Sequence, residues 1–137
     1  MTPEQVVIVQ TTWRPVLMVG DTFAELFYGR LFSLDPGLRP LFKEDLREQG
    51  RNLTAMMSVV AGSLARAERI VLALQELGRR HRAYGVQARH YETVAAALLW
   101  ALEQCLGEAF TPEVGAAWRE AYGLLARTMQ DASRAAA

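Results

Sequence analysis

Apolar residues recur at intervals of three and four along almost the whole chain, the spacing that lines one face of an α-helix. No stretch alternates apolar and polar residues for long enough to indicate a β-strand. The pattern therefore predicts an all-α protein. Thr2, Pro3 and Gln5 form a helix-start signal, so a first helix should begin there, run to about Arg14 or beyond, and bury Trp13.

Two further helices and a short turn are predicted in the next part of the chain. One runs from Asp21 to Phe32 and is apolar over much of its circumference, which indicates a central position. A short turn is expected at Asp35-Pro36, and a third helix after Asp45. The inner stripe of that third helix consists of Leu46, Gln49, Leu53, Met56, Met57, Val60 and Leu64.

Three further helices are predicted in the second half of the chain. A break at residues 67–69 precedes the stripe of Ile70, Ala73, Leu74, Leu77 and His81, and Gly85 should end that helix. A long helix then carries Tyr91 and Val94 and ends at Gly107, and the last begins at Thr111-Pro112. Residues 1–137 are expected to form one domain, with a frayed tail from 132 to 137.

Composition and charge exclude several classes of protein. The 137 residues are 51% hydrophobic, enough for a core and an internal pocket. The 15 basic and 15 acidic side chains cancel, which argues against a nucleic-acid or anionic-membrane partner. The longest apolar run, at 94–102, is too short to cross a bilayer, and the start lacks signal-peptide features. We therefore expect a cytoplasmic protein.

Three polar side chains interrupt these apolar faces: His81, Gln49 and Tyr28, each on a different helix. Singly, each has a structural interpretation, because His81 could donate to a backbone carbonyl and Gln49 could lie at a helix rim with its amide in water. Together, three convergent polar groups in an apolar setting indicate a ligand pocket. Gly78, one turn before His81, lacks a side chain, so a flat partner could lie close to that helix.

The surroundings of His81 restrict the chemistry. No Cys, second His or carboxylate cluster accompanies it at metal-ligand spacing, which argues against a zinc site made by protein alone. A macrocycle that brings four nitrogens needs only one or two protein ligands, and haem iron on a single His is the common solution. Ser63 has no apparent partner base, and the lone Cys105 is predicted to pack as a small hydrophobe.

Three stretches resemble bacterial single-domain globins, neuroglobin-like proteins and the haem domains of flavohaemoglobins. They are residues 31–42 with their Asp35-Pro36 corner, residues 77–86 around His81, and residues 105–123. The resemblance covers residues 2 to about 129. It implies a globin fold, a three-on-three helical sandwich around haem b.

The same resemblance assigns roles to individual residues. His81 would bind the haem iron, Gln49 and Tyr28 would face the ligand on the distal side, and Leu53 would wall the ligand pocket. Haem-packing positions are matched by Leu41, Phe42, Leu77, Val86, Tyr91 and Val94. Arg80 matches a basic residue that pairs with a haem propionate, although an arginine beside a helix end can simply be solvated.

The expected function is reversible binding of dioxygen and other diatomic gases, as in oxygen-binding or oxygen-transport globins, with reactivity toward nitric oxide. Flavohaemoglobins pair the tyrosine matching Tyr91 with a glutamate, and that position is Ser133 here, which cannot supply the charge that polarises the proximal His. These residues contain no reductase domain, so turnover as a nitric oxide dioxygenase would need an external reductase. The alternatives are a gas sensor that acts through a partner protein and a haem-free helical interaction module.

Overall fold

The computed structural model describes residues 1–42, 45–83 and 85–135, and this part of the chain is helical without strands. The α-helices are α1 (Pro3–Leu17), α2 (Gly20–Leu34), α3 (Leu46–Ser63), α4 (Val71–Ala83), α5 (Ala88–Leu106) and α6 (Pro112–Ala135). Short 3-10 segments lie at Pro36–Leu41, Leu64–Arg69 and Gly107–Ala109. The all-α prediction is confirmed.

Local sequence signals set the helix boundaries as expected. The Thr2 hydroxyl accepts a hydrogen bond from the Gln5 N–H at 3.1 Å, while the Gln5 side chain accepts from the Thr2 N–H at 2.9 Å. Asp45 caps α3 by accepting from the Arg47 N–H at 3.1 Å. Gly85 and Gly107 follow α4 and α5 with φ of 94° and 57°, a backbone conformation that costs glycine least.

The helices form two layers, as predicted from the resemblance. α1, α3 and α4 form one layer, and α2, α5 and α6 form the other. The largest contacts are between α4 and α6, across the layers, and between α2 and α5, within one layer. The core is deepest where α1, α2 and α5 meet, and its fully buried large side chains are Phe23, Leu31, Leu102, Val9 and Val16. In the part of the chain described, α3 and α4 make no extensive contact with each other.

Two glycines let helices approach more closely than side chains would permit. A Cβ added at Gly50 on α3 would lie 2.9 Å from the Cβ of Ala24 on α2. A Cβ added at Gly78 would overlap the backbone carbonyl of Met129 on α6. The expectation that Gly78 clears space for a flat partner was therefore wrong, because its open side is filled by α6.

The C-terminal helix is longer than the sequence predicts. α6 continues to Ala135, through the first residues of the segment expected to fray, and Ala132 is buried. Residues 136 and 137, the rest of that predicted tail, lie outside the described residues. None of the described helices is both long and apolar enough to span a membrane.

Candidate functional site

His81 lies in the last turn of α4, and one of its ring nitrogens is already used. Nδ1 is 2.8 Å from the carbonyl oxygen of Leu77, one turn earlier. A carbonyl can only accept, so Nδ1 carries the proton and donates, which leaves the lone pair on Nε2. A hydrogen bond to a backbone carbonyl was the structural explanation offered for His81. The same bond leaves Nε2 in the form that can bind a metal ion.

Electrostatics keep the His81 ring neutral. Burial lowers its pKa below the ordinary value of 6.5, and the positive charge of Arg80 lowers it further, against the opposing effect of the Leu77 hydrogen bond. A neutral imidazole is the form that binds a metal ion. No group of three or more potential metal-binding side chains occurs among the described residues, so His81 would have to act with a ligand that brings its own donors.

Tyr28 and Gln49 both lie beside the crossing of α2 and α3. Gln49 directly precedes Gly50 and is half-buried, and Tyr28 follows Ala24 by one turn and is buried. Because Gly50 and Ala24 meet at van der Waals contact, the two helices are fixed relative to each other at this level. Leu53, one turn beyond Gln49, is also half-buried.

Aromatic rings surround the Tyr28 side chain. Its ring centroid lies 5.0 Å from that of Phe27, 6.0 Å from Phe32 and 5.5 Å from Phe42. Burial raises the pKa of Tyr28 to about 12, so the phenol keeps its proton at neutral pH. Tyr28 is therefore a neutral hydrogen-bond donor held rigidly by packing.

The predicted apolar haem contacts are half-buried. Each packs against the core while keeping part of its surface exposed; they are Leu41, Phe42, Leu53, Leu77, Val86 and Val94. A Cβ at Gly85 would lie 3.6 Å from Cδ2 of Leu41, so the corner after α2 contacts the loop after α4. α3, which carries Leu53, and α4, which carries Leu77, make no extensive contact with each other in the described part of the chain.

A tyrosine pair lies where α5 and α6 meet. Tyr91 is buried at the start of α5, and its carbonyl oxygen accepts a hydrogen bond from the Tyr122 hydroxyl at 2.7 Å. Burial raises the pKa of both phenols. Tyr91 and Ser133 line the same open cleft, and that cleft has no carboxylate of its own among the lining residues described.

Arg80 and His90 lie in different surroundings, the first exposed and the second buried. Nε of Arg80 lies 3.6 Å from Glu76 on an exposed surface, so solvation and an ion pair account for it in this structure, and the propionate role stays a prediction. His90 caps α5, because its Nδ1 accepts from the Gln87 N–H at 2.9 Å. It is buried, with Nε2 4.0 Å from Asp35.

Sequence analysis missed two residues that support the site, Gly50 and Tyr122, and interpreted Gly78 wrongly. Gly50 and Gly78 set the spacing of α3 and α4 against their neighbours, and Tyr122 braces Tyr91. A glycine in the interior of a helix can indicate that another backbone packs closely there, and this signal could have identified Gly50 and the packing role of Gly78. No comparable signal marks the partner of Tyr122, since that contact spans two helices.

Comparison with known proteins agrees with this geometry. The globin family model matches residues 25–129. A flavohemoprotein of Bacillus subtilis is 30% identical over 122 residues, which are 87% of this chain and 31% of that protein. The chain thus spans about a third of the length of the curated relative.

Solved structures match over nearly the whole chain. A bacterial globin from Campylobacter jejuni superimposes with a TM-score of 0.85 at 27% identity and covers 97% of this chain and 96% of its own. An engineered carbene transferase from Rhodothermus marinus gives a TM-score of 0.89 at 25% identity, with coverage of 99% and 95%. Since the family model covers most of the sequence, the chain belongs to the globin family, a family of haem-binding proteins.

Proposed function

We propose that this protein binds haem b in a slot between α3 and α4, with Nε2 of His81 as the single protein ligand, and reversibly binds dioxygen on the opposite face. The hydrogen bond from His81 Nδ1 to Leu77 carries the proposal, because it fixes the tautomer that presents a lone pair. Haem, when bound, supplies an iron with four nitrogen ligands and an exchangeable position.

The slot suits a flat apolar ring system. Haem binding would remove the remaining exposed surface of its aliphatic and aromatic residues from water. This burial favours binding by about 25 cal/mol per Å² of apolar area. Phe42 packs edge-on against both Tyr28 and Phe32, so its ring is held in one orientation. Leu77 contributes its carbonyl to His81 and its side chain to the slot.

The distal residues favour a gas that accepts hydrogen bonds. Dioxygen held by a haem iron would carry extra electron density on its oxygens, whereas carbon monoxide would do so much less, so a neutral donor from the protein would strengthen dioxygen binding selectively. Tyr28 is such a donor at neutral pH because its pKa is about 12. Gln49 supplies an amide on the neighbouring helix, and Leu53 restricts access on the same wall.

The proximal residues favour ligand binding over fast oxidative turnover. Neither Ser133 nor the other cleft residues described beside Tyr91 can supply a carboxylate to increase electron donation from His81. Reaction of bound dioxygen with nitric oxide then remains a secondary activity that depends on an external reductase in a reducing cytoplasm.

An absorption titration tests the proposal most directly. Haem added to the purified apoprotein should produce an intense Soret band that saturates at one haem per chain. The reduced protein should then shift its visible bands on addition of dioxygen and recover them when the gas is removed. A chain that gives no saturable Soret band, or whose reduced form does not respond to dioxygen, contradicts the proposal.

Replacing Tyr28 by phenylalanine should speed dioxygen dissociation about tenfold, since one hydrogen bond to the ligand is lost. Carbon monoxide dissociation should change far less, because that ligand accepts hydrogen bonds weakly. Stopped-flow measurements of both gases on the reduced protein give the two rates. An unchanged dioxygen rate would remove the role assigned to this hydroxyl.

Tyr122→Phe is the matched control, because it also deletes one buried phenol hydroxyl, but on the proximal side. The Tyr91 carbonyl then loses its donor, and we expect the free energy of unfolding to fall by about 1 kcal/mol. The dioxygen dissociation rate should stay within about twofold of the unmodified protein. Denaturant titration and stopped-flow kinetics measure the two quantities.

A further inference from the structure

An open cleft of about 520 Å³ lies where the end of α4, the start of α5 and the end of α6 come together. Its described lining consists of Arg82, Gly85, Val86, Gln87, Ala88, Tyr91, Gln130, Ser133 and Arg134. Val86 and Tyr91 contribute apolar surface to this lining, and the arginine, glutamine and serine side chains contribute polar groups. The cleft is large enough for a small organic molecule.

The lining is positively charged. Arg82 and Arg134 line the cleft, and no aspartate or glutamate does so among the residues described. Arg134 is paired with Asp131 at 2.6 Å, outside the lining. Within the described chain, no carboxylate lies within salt-bridge distance of Arg82, so its charge has no protein partner there.

Arg82 is held in place for binding. Its Nη1 donates to the carbonyl oxygen of Ser133 at 2.6 Å, which ties the end of α4 to the end of α6. A guanidinium has five N–H donors, so this contact orients the group and leaves most donors for another acceptor. Holding the side chain in advance lowers the entropy lost when a ligand binds.

Neutral groups add to the preference for an anion. Gln87, Gln130 and Ser133 supply further donors around the cleft. Ala88 is the first residue of the 19-residue helix α5, so the positive end of the helix dipole faces the same region. The combination of an anchored arginine, amide donors and an apolar surface suits an acid with a short hydrocarbon body.

We propose that this cleft is a binding site for a small organic carboxylate beside the haem slot of the proposed function. The carboxylate pairs with the free N–H edge of Arg82, and its hydrocarbon part lies against Val86 and Tyr91. Val86 and Tyr91 are also haem-packing residues in the proposed function, so the two sites adjoin, whereas Arg82 and Ser133 belong to the carboxylate site alone.

Calorimetry with succinate as the probe tests the site on the purified haem-loaded protein at constant ionic strength. Succinate should bind saturably with one molecule per chain, and the neutral diamide succinamide, of nearly equal shape, should not. Haem content is read separately from the Soret band, so a failure of haem binding is distinguished from a failure of the cleft.

Variants locate the binding. Arg82→Gln should weaken succinate binding about tenfold or more, because a charge-assisted hydrogen bond is lost. Ser133→Phe should block the cleft while keeping the backbone carbonyl that anchors Arg82, and it serves as the second variant if Arg82→Gln does not fold. Arg119→Gln, the same charge change on an exposed part of α6 outside the cleft, should bind like the unmodified protein.

Three results would overturn the proposal. The first is the absence of saturable heat with succinate in the unmodified protein. The second is binding of succinamide as tight as that of succinate, which would show that the carboxylates are not recognised. The third is unchanged affinity in both Arg82→Gln and Ser133→Phe.

Discussion

Replacing His81 by alanine is expected to weaken haem binding by more than about 100-fold, since loss of a mere supporting hydrogen bond around a metal ligand already costs 10- to 100-fold. His81 is the one described side chain that combines burial, a lowered pKa and an oriented nitrogen in the slot. The apolar lining remains in the variant, so haem should still associate weakly. Soret titrations and transfer of haem to a competing apoprotein measure the loss.

The control for this variant is chemical as well as genetic. Imidazole added to the alanine variant should enter the vacated volume and restore much of the Soret intensity, which a loss of folding would prevent. Arg79→Ala lies two residues away on an exposed face, where its contact with Glu76 contributes less than about 1 kcal/mol. It should bind haem normally. An alanine variant at 81 with full affinity would refute the assignment of the iron ligand.

Replacing Gly78 by alanine should lower the free energy of unfolding by about 3 kcal/mol, at the upper end of the usual cost of overpacking. The added Cβ would overlap the backbone carbonyl of Met129, and a backbone group cannot move aside by changing its rotamer. α4 must therefore shift away from α6. Because His81 lies three residues later on the same helix, haem affinity should fall together with stability.

Gly62→Ala and Gly29→Ala provide matched controls, since each adds the same methyl group inside a helix where nothing lies within 4 Å. Both should raise stability by up to about 1 kcal/mol through the higher helix propensity of alanine. Denaturant titration of the three variants gives the comparison. A Gly78→Ala protein as stable as these controls would show that α4 and α6 tolerate separation.

Sequence alone predicted the helices well because several of them begin or end at a residue with a local function. Thr2 with Gln5, Asp45 and Gly107 act within a few residues of themselves, so their hydrogen bonds or backbone angles can be inferred without knowledge of the fold. The end of α6 could not be predicted in this way. Its length depends on burial of Ala132, which depends on packing against other helices.

The candidate site was predicted only in part for the same reason. His81 and Tyr28 stand out as polar groups on apolar stripes, and the structure shows each in a setting that favours its predicted chemistry. The sequence could not show what packs against the helix at Gly78, because a glycine can make room either for a ligand or for another helix. The cleft at Arg82 was likewise invisible, since it forms where three segments far apart in sequence meet.

The separation of α3 from α4 has a consequence for the life of the protein in a cell. α4 is secured mainly by α6 on one side, so its amides should open to solvent more often than those of α2 and α5 when haem is scarce. A cofactor that binds only the folded form shifts this balance by mass action. Resistance to proteolysis would then follow the supply of haem, and the abundance of the protein would match that supply without a separate regulator.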